Sequence, residues 1–169
     1  MLPRHAAAPA ALLLIVCASA AAASPLSRTR RFHLDATCQR ILPLLTARGE
    51  EQWAQGWHPE LLSGDRGRGS VFRTRRHDGH ETVWIVTDDE PAAGRISYAR
   101  LAGGSNMGLV DVRCSGDGEG STVQVSYTLT GLNPEGRAYA SEFLADARYG
   151  AMMAEWKQAL TAALARGGG

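Results

Sequence analysis

Apolar and polar residues alternate in short runs from Leu61 to Thr130, with turn residues between the runs. The pattern is cleanest over 122–130. There Val123, Val125, Tyr127 and Leu129 point one way, and Thr122, Gln124, Ser126 and Thr128 point the other. Period-two alternation with one apolar side predicts antiparallel strands covered on one face. Residues 71–75, 82–87, 95–101 and 109–114 repeat it. Asp78-Gly79, flanked by His77 and His80, fits a two-residue hairpin, because both positions tolerate positive φ. Residues 90–94, 103–106 and 117–120 supply further turns.

The flanks read differently. Residues 27–34 alternate well enough for a first strand, and Asp35 then stands where a helix N-cap belongs. Ile41, Leu42, Leu44 and Leu45 predict a helix within 36–46, limited by Pro43 and ended by Gly49. A second short helix over 50–57 would place Trp53 and Trp57, four apart, on one face. After Thr130, Asn133-Pro134 fits an N-cap followed by the first helical position. The helix is expected to run to about residue 165, with an apolar stripe of Phe143, Ala147, Met152, Trp156, Leu160 and Leu164. Such a helix needs a partner surface, and the covered face of the sheet is the one available.

Several short motifs fit that order: Glu51-x-Trp53-x-x-x-Trp57, Gly69-Ser-Val-Phe-Arg-Thr74, Trp84-Ile-Val86, Ile96-Ser-Tyr98, the strand within 120–130, and Trp156 near the helix end. Together they resemble the SRPBCC superfamily, which joins START lipid-transfer domains, birch-pollen-allergen-like proteins and polyketide cyclase/dehydrase proteins. The resemblance spans 27–165, nearly the whole of a single domain over 24–169. It implies an α+β helix-grip fold. A curved antiparallel sheet of six to seven strands would wrap around the long C-terminal helix, with two short helices after the first strand. It also implies a largely apolar cavity between helix and sheet. Face assignment then gives Phe72, Trp84, Tyr98 and Val110 as cavity candidates from the strands, and Phe143, Met152 and Trp156 from the helix. Arg100 and Tyr127 are the polar candidates for a ligand head, since Arg73 and Arg113 fall on the solvent side.

Residues 1–23 change the compartment. Arg4 is followed by an apolar run through Cys17 and then small residues, the order of a secretory signal. Cleavage after Ala20, Ala22 or Ala23 fits, and Ser24-Pro25 favours Ala23. The apolar run is short of the about 20 residues a bilayer span needs, and Val16 before Cys17 disfavours a lipoprotein anchor. The reading is therefore a periplasmic or secreted protein with no stable membrane span after cleavage. Cys38 and Cys114 remain, and in an oxidising compartment they can pair, although buried free cysteines are also common.

Charge and motifs narrow the function. Lys plus Arg is 18 against 17 Asp plus Glu, which gives no electrostatic case for a nucleic-acid partner. No P-loop, dinucleotide fingerprint, HExxH or paired CxxC is present, so no cofactor is expected. His58, His77, His80 and Asp78 are weak zinc candidates, because two of the histidines sit at a hairpin tip. Glu50, Glu51 and His58 near the tryptophans could form an acid/base group, but a solvated helix face explains them more simply. The leading expectation is a non-enzymatic carrier or sensor of a small hydrophobic molecule, lipid or polycyclic. A cyclase-like enzyme using the same cavity and an interaction module with a filled core are the alternatives. The mature chain is expected to begin at Ser24. An intact mass of the exported protein checks this, and a start at another residue would contradict it.

Overall fold

The structure is a computed structural model and describes residues 24–75 and 79–167. The expected signal segment 1–23 and the turn expected at His77 and Asp78 lie outside the described residues. The strands are β1 Leu26–Leu34, β2 Glu60–Ser63, β3 Val71–Arg75, β4 Glu81–Glu90, β5 Arg95–Ala102, β6 Asn106–Gly116 and β7 Ser121–Gly131. They form one antiparallel, curved sheet in the order β1-β7-β6-β5-β4-β3-β2. The helices are α1 Cys38–Ile41, α2 Pro134–Phe143 and α3 Asp146–Arg166.

Alternation sets the sheet's two faces. Along β7 every second residue is buried. Register then aligns the inward side chains into rows across the strands. Phe72, Trp84 and Arg100 are successive neighbours in one row. Val86, Tyr98, Val110 and Tyr127 are successive neighbours in the next. The outward face is not wholly polar: Ile85, Leu101, Met107 and Leu109 are exposed on it. Arg73 lies on that side too, paired with Glu60 on β2 at 2.6 Å. β2 itself is a strand that the sequence pattern did not separate from the turn before Val71.

The expected single C-terminal helix is two helices. Asn133 caps α2 by accepting from the Gly136 N–H at 2.7 Å. Leu144 and Ala145 then interrupt the helical path, with Ala145 extended at φ −57° and ψ 138°. The first strand supplies the cause. The Nε of Arg28 donates to the Leu144 carbonyl at 2.9 Å, taking an acceptor that a continuous helix would use itself. Asp146, in the first turn of α3, pairs with Arg28 and Arg30 and meets the positive end of the helix dipole. The break resets the helical phase. The fully buried stripe of α3 is Tyr149, Met153, Leu160 and Ala163, while Ala147 is exposed.

The two short helices after β1 are also reduced. Thr37, not Asp35, is the N-cap of α1, and Asp35 instead lies 3.2 Å from the His33 ring. The chain continues as a 3-10 turn over Leu42–Leu45, where Pro43 lacks the N–H a longer helix needs. A second 3-10 turn covers only Glu50–Gln52. Gly49 cannot be replaced there without collision, since an added Cβ would lie 1.9 Å from the Pro43 carbonyl oxygen.

Cys38 and Cys114 are joined, with Cα atoms 5.7 Å apart and a separation of 76 positions in sequence. The bond ties α1 to β6. Loop-closure entropy for a ring of this length is worth about 4 kcal/mol. Reduction, or the Cys38→Ser/Cys114→Ser double variant, is expected to lower stability by about that amount. Urea midpoints with and without reductant measure it.

A candidate ligand pocket under an aromatic roof

One α-helix is about 10–12 Å across with its side chains. Seven strands span about 29 Å. A single helix therefore leaves much of the inner face open, and residues 38–57 cover the remainder. This roof is irregular, so its carbonyls lack helical partners. Aromatic donors supply them. The Trp53 indole N–H donates to Leu44 O at 2.6 Å, Trp57 to Ala47 O at 2.7 Å, and the Tyr98 hydroxyl to Leu45 O at 2.7 Å.

Those bonds fix the rings edge to face. Trp57 meets Phe72 at 6.1 Å and Trp84 at 5.7 Å between centroids. Phe72 and Trp84 stack in parallel at 5.8 Å, and Tyr98 stands perpendicular to both. Trp53 meets Trp156 of α3 at 5.1 Å. Each such pair adds about 0.5–1.5 kcal/mol beyond burial.

Beneath the roof lies a pocket of about 190 Å³, lined by Glu50, Ala54, Trp57, Phe72, Trp84, Tyr98, Val110, Val112, Tyr127 and Trp156. Of the nine residues the sequence singled out for a cavity, Phe72, Trp84, Tyr98, Val110, Tyr127 and Trp156 meet here. Three do not. Phe143 packs beside Tyr127, Tyr139 and Tyr149, displaced by the break between α2 and α3. Met152 is half-buried against the core on the neighbouring flank of α3. Arg100 sits behind the wall, 6% exposed, with its guanidinium 5.4 Å from the Trp84 ring centroid. Its Nε is buried without an acceptor.

Glu50, Ala54, Trp57 and Val112 join the wall without having been placed there by sequence. Glu50 is the consequential one. The sequence reading favoured a solvated helix face for it. The structure turns it inward, where burial pushes its carboxyl well above the usual carboxylate range. Where the pH is high enough to ionise it, its charge adds to the burial that raises the Tyr98 and Tyr127 hydroxyls. Glu51 and His58 stay at the surface beside Trp53 and Ala159, apart from this pocket. No group of three metal-ligating side chains occurs among the described residues.

A larger hollow of about 750 Å³ surrounds the disulfide, bounded by 35–40, 91–94 and the 116–121 turn. It is open to solvent and mostly polar, so it lacks the enclosure that holds an apolar molecule.

Residues 26–168 match the family described as polyketide cyclase / dehydrase and lipid transport. No curated protein sequence matches the chain. Among solved structures, an uncharacterised protein from Rhizobium leguminosarum is 20% identical, with a TM-score of 0.63 over 85% of this chain and 97% of that one. A norcoclaurine synthase point mutant from Thalictrum flavum, in complex with a transition state analogue, is 13% identical, with a TM-score of 0.67 over 87% of this chain and 98% of that one. A protein from Mesorhizobium loti is 18% identical, with a TM-score of 0.61 over 83% and 98%. At these identities the likeness is one of fold.

The inward carboxyl makes stability depend on pH. Above the ordinary glutamate pKa of about 4.3, the folded chain keeps a proton that the unfolded chain has lost, so stability falls as pH rises. The decline ends once pH passes the raised folded-state value. Glu50→Gln removes this slope. The variant is expected to match the parent near pH 4 and to exceed it increasingly towards pH 7, by urea midpoints at each pH. A difference that does not change with pH would contradict the assignment.

Proposed function

Because this chain belongs to the polyketide cyclase / dehydrase and lipid transport family, within the SRPBCC superfamily, we propose that it binds a small hydrophobic molecule as an exported, non-enzymatic carrier or sensor. The observation that carries this reading is the unfilled aromatic pocket between sheet and roof. Its free energy would come from burial, about 25 cal/mol per Å² of apolar surface removed from water, less the cost of association. The volume constrains the ligand. An apolar cavity of about 150 Å³ holds benzene, so about 190 Å³ accepts a compact ring and excludes an extended acyl chain unless the roof opens.

The empty space favours this reading over an interaction module with a filled core. The disulfide supports export, since such bonds persist in oxidising compartments. One observation favours a second reading, a cyclase-like enzyme. Glu50 is a carboxyl of raised pKa in a cleft, the kind of group proton transfer uses. The relatives carry both kinds of role in the family's own description.

Native mass spectrometry of the exported protein tests the proposal. The expected spectrum shows one compact apolar molecule per chain, lost on denaturation. A ligand-free mass that persists after incubation with a mixed apolar extract would overturn it. An extract converted into a new product would transfer the pocket to the enzyme reading.

A further inference from the structure

The polar groups of the pocket wall divide into engaged and free. The Trp57 indole N–H donates to Ala47 O, the Trp84 N–H to Thr74 Oγ1 at 3.0 Å, and the Tyr98 hydroxyl to Leu45 O. The Tyr127 hydroxyl, the Trp156 N–H and the Glu50 carboxyl have no hydrogen-bond partner among the described residues. Tyr127 is only 7% exposed, so its free hydroxyl is held within the protein and lines the pocket. No lysine or arginine lines the pocket beside Glu50. Glu50 is half-buried in apolar surroundings, and burial there favours its neutral form over the carboxylate. The groups that face it are Tyr98 from β5, Tyr127 from β7, Trp57 from the roof and Trp156 from α3, none of them cationic. Arg100 and Asp89 act from behind the wall, on Tyr127 and Tyr98 respectively. A neutral carboxylic acid and a phenol each offer an O–H, and the indole offers an N–H. The free side chains of the wall therefore present donors to a ligand and lack a charge to balance an ion.

Building on the pocket reading above, we propose that its ligand is a compact, uncharged ring molecule bearing a carbonyl-type oxygen that accepts from the Glu50 carboxyl and the Tyr127 hydroxyl. The aromatic walls take the ring, and the two O–H groups orient it. An acid that stays protonated donates without carrying charge, which an amide at the same place would also do. A carboxylate ligand is disfavoured, since its charge would enter the pocket with Arg100 screened behind Trp84.

Three probes of one carbon skeleton separate the possibilities: acetophenone, ethylbenzene and 1-phenylethylamine. Calorimetric titration of the mature protein is expected to give acetophenone about tenfold tighter than ethylbenzene, as two modest net hydrogen bonds together provide. Tyr127→Phe and Glu50→Leu should each cut the acetophenone-to-ethylbenzene affinity ratio to about threefold, as loss of one of two donors requires. Glu50→Gln, which keeps a neutral donor and nearly the same shape, should retain the full ratio. Acetophenone affinity should also fall with rising pH as Glu50 ionises, and stay level in Glu50→Gln. Equal affinities for acetophenone and ethylbenzene would overturn the inference and leave the pocket reading intact. Tightest binding of the amine would overturn it by showing an ionised Glu50 as counter-charge. If none of the three binds, the pocket reading fails, and this inference fails with it.

Discussion

Three carbonyl groups, those of Leu44, Leu45 and Ala47, govern the arrangement of the site. They belong to a stretch that Pro43 and Gly49 keep out of regular helix, so none of them finds a helical N–H. Burying them unpaired would cost about 1–3 kcal/mol each. Trp53, Tyr98 and Trp57 satisfy them, and doing so fixes each aromatic ring by its polar end. The apolar faces are then left for one another and for the pocket. A local defect in secondary structure thus becomes a rigid aromatic wall, because the donors that satisfy these carbonyls are attached to large flat rings.

The rest of the molecule holds that roof in place. The sheet is too wide for one helix to cover, and the arginines of β1 break the C-terminal helix where it would otherwise run straight past. That break lets α2 lie on β7 and lets α3 approach β1. The Tyr149 hydroxyl reaches Val125 O at 3.0 Å and anchors α3 to the sheet. The disulfide fixes the other end of the roof to β6. Pocket, helix break and cross-link are three solutions to a single mismatch of widths.

The sheet was legible in the sequence because alternation is a local signal. Val123, Val125, Tyr127 and Leu129 announce their shared face without knowledge of any neighbour, and Phe72, Trp84, Tyr98 and Val110 follow by the same parity. The roof was not legible. Glu50 and Glu51 are adjacent and chemically identical, and only the tertiary path decides that the first faces inward. Trp53 and Trp57 have helical spacing, yet their indoles serve different carbonyls, and their rings meet different partners. Tyr149 was missed as a core residue because the stripe was counted along an unbroken helix. The partner that breaks it, Arg28, lies 116 residues before Leu144. Phe143 and Met152 were placed in the cavity by the same uninterrupted count.

All four tryptophans of the chain stand in or beside the pocket wall, as two ring pairs. Trp53 touches Trp156, Trp57 touches Trp84, and three of the four rings form part of the wall. Rings at 5–6 Å share excitation far faster than they emit. The protein's ultraviolet emission is therefore a collective property of this one site, with no distant indole to dilute it. The fold carries its own optical reporter, and whatever enters, leaves or rearranges under the roof will alter the colour and intensity of the whole molecule's fluorescence.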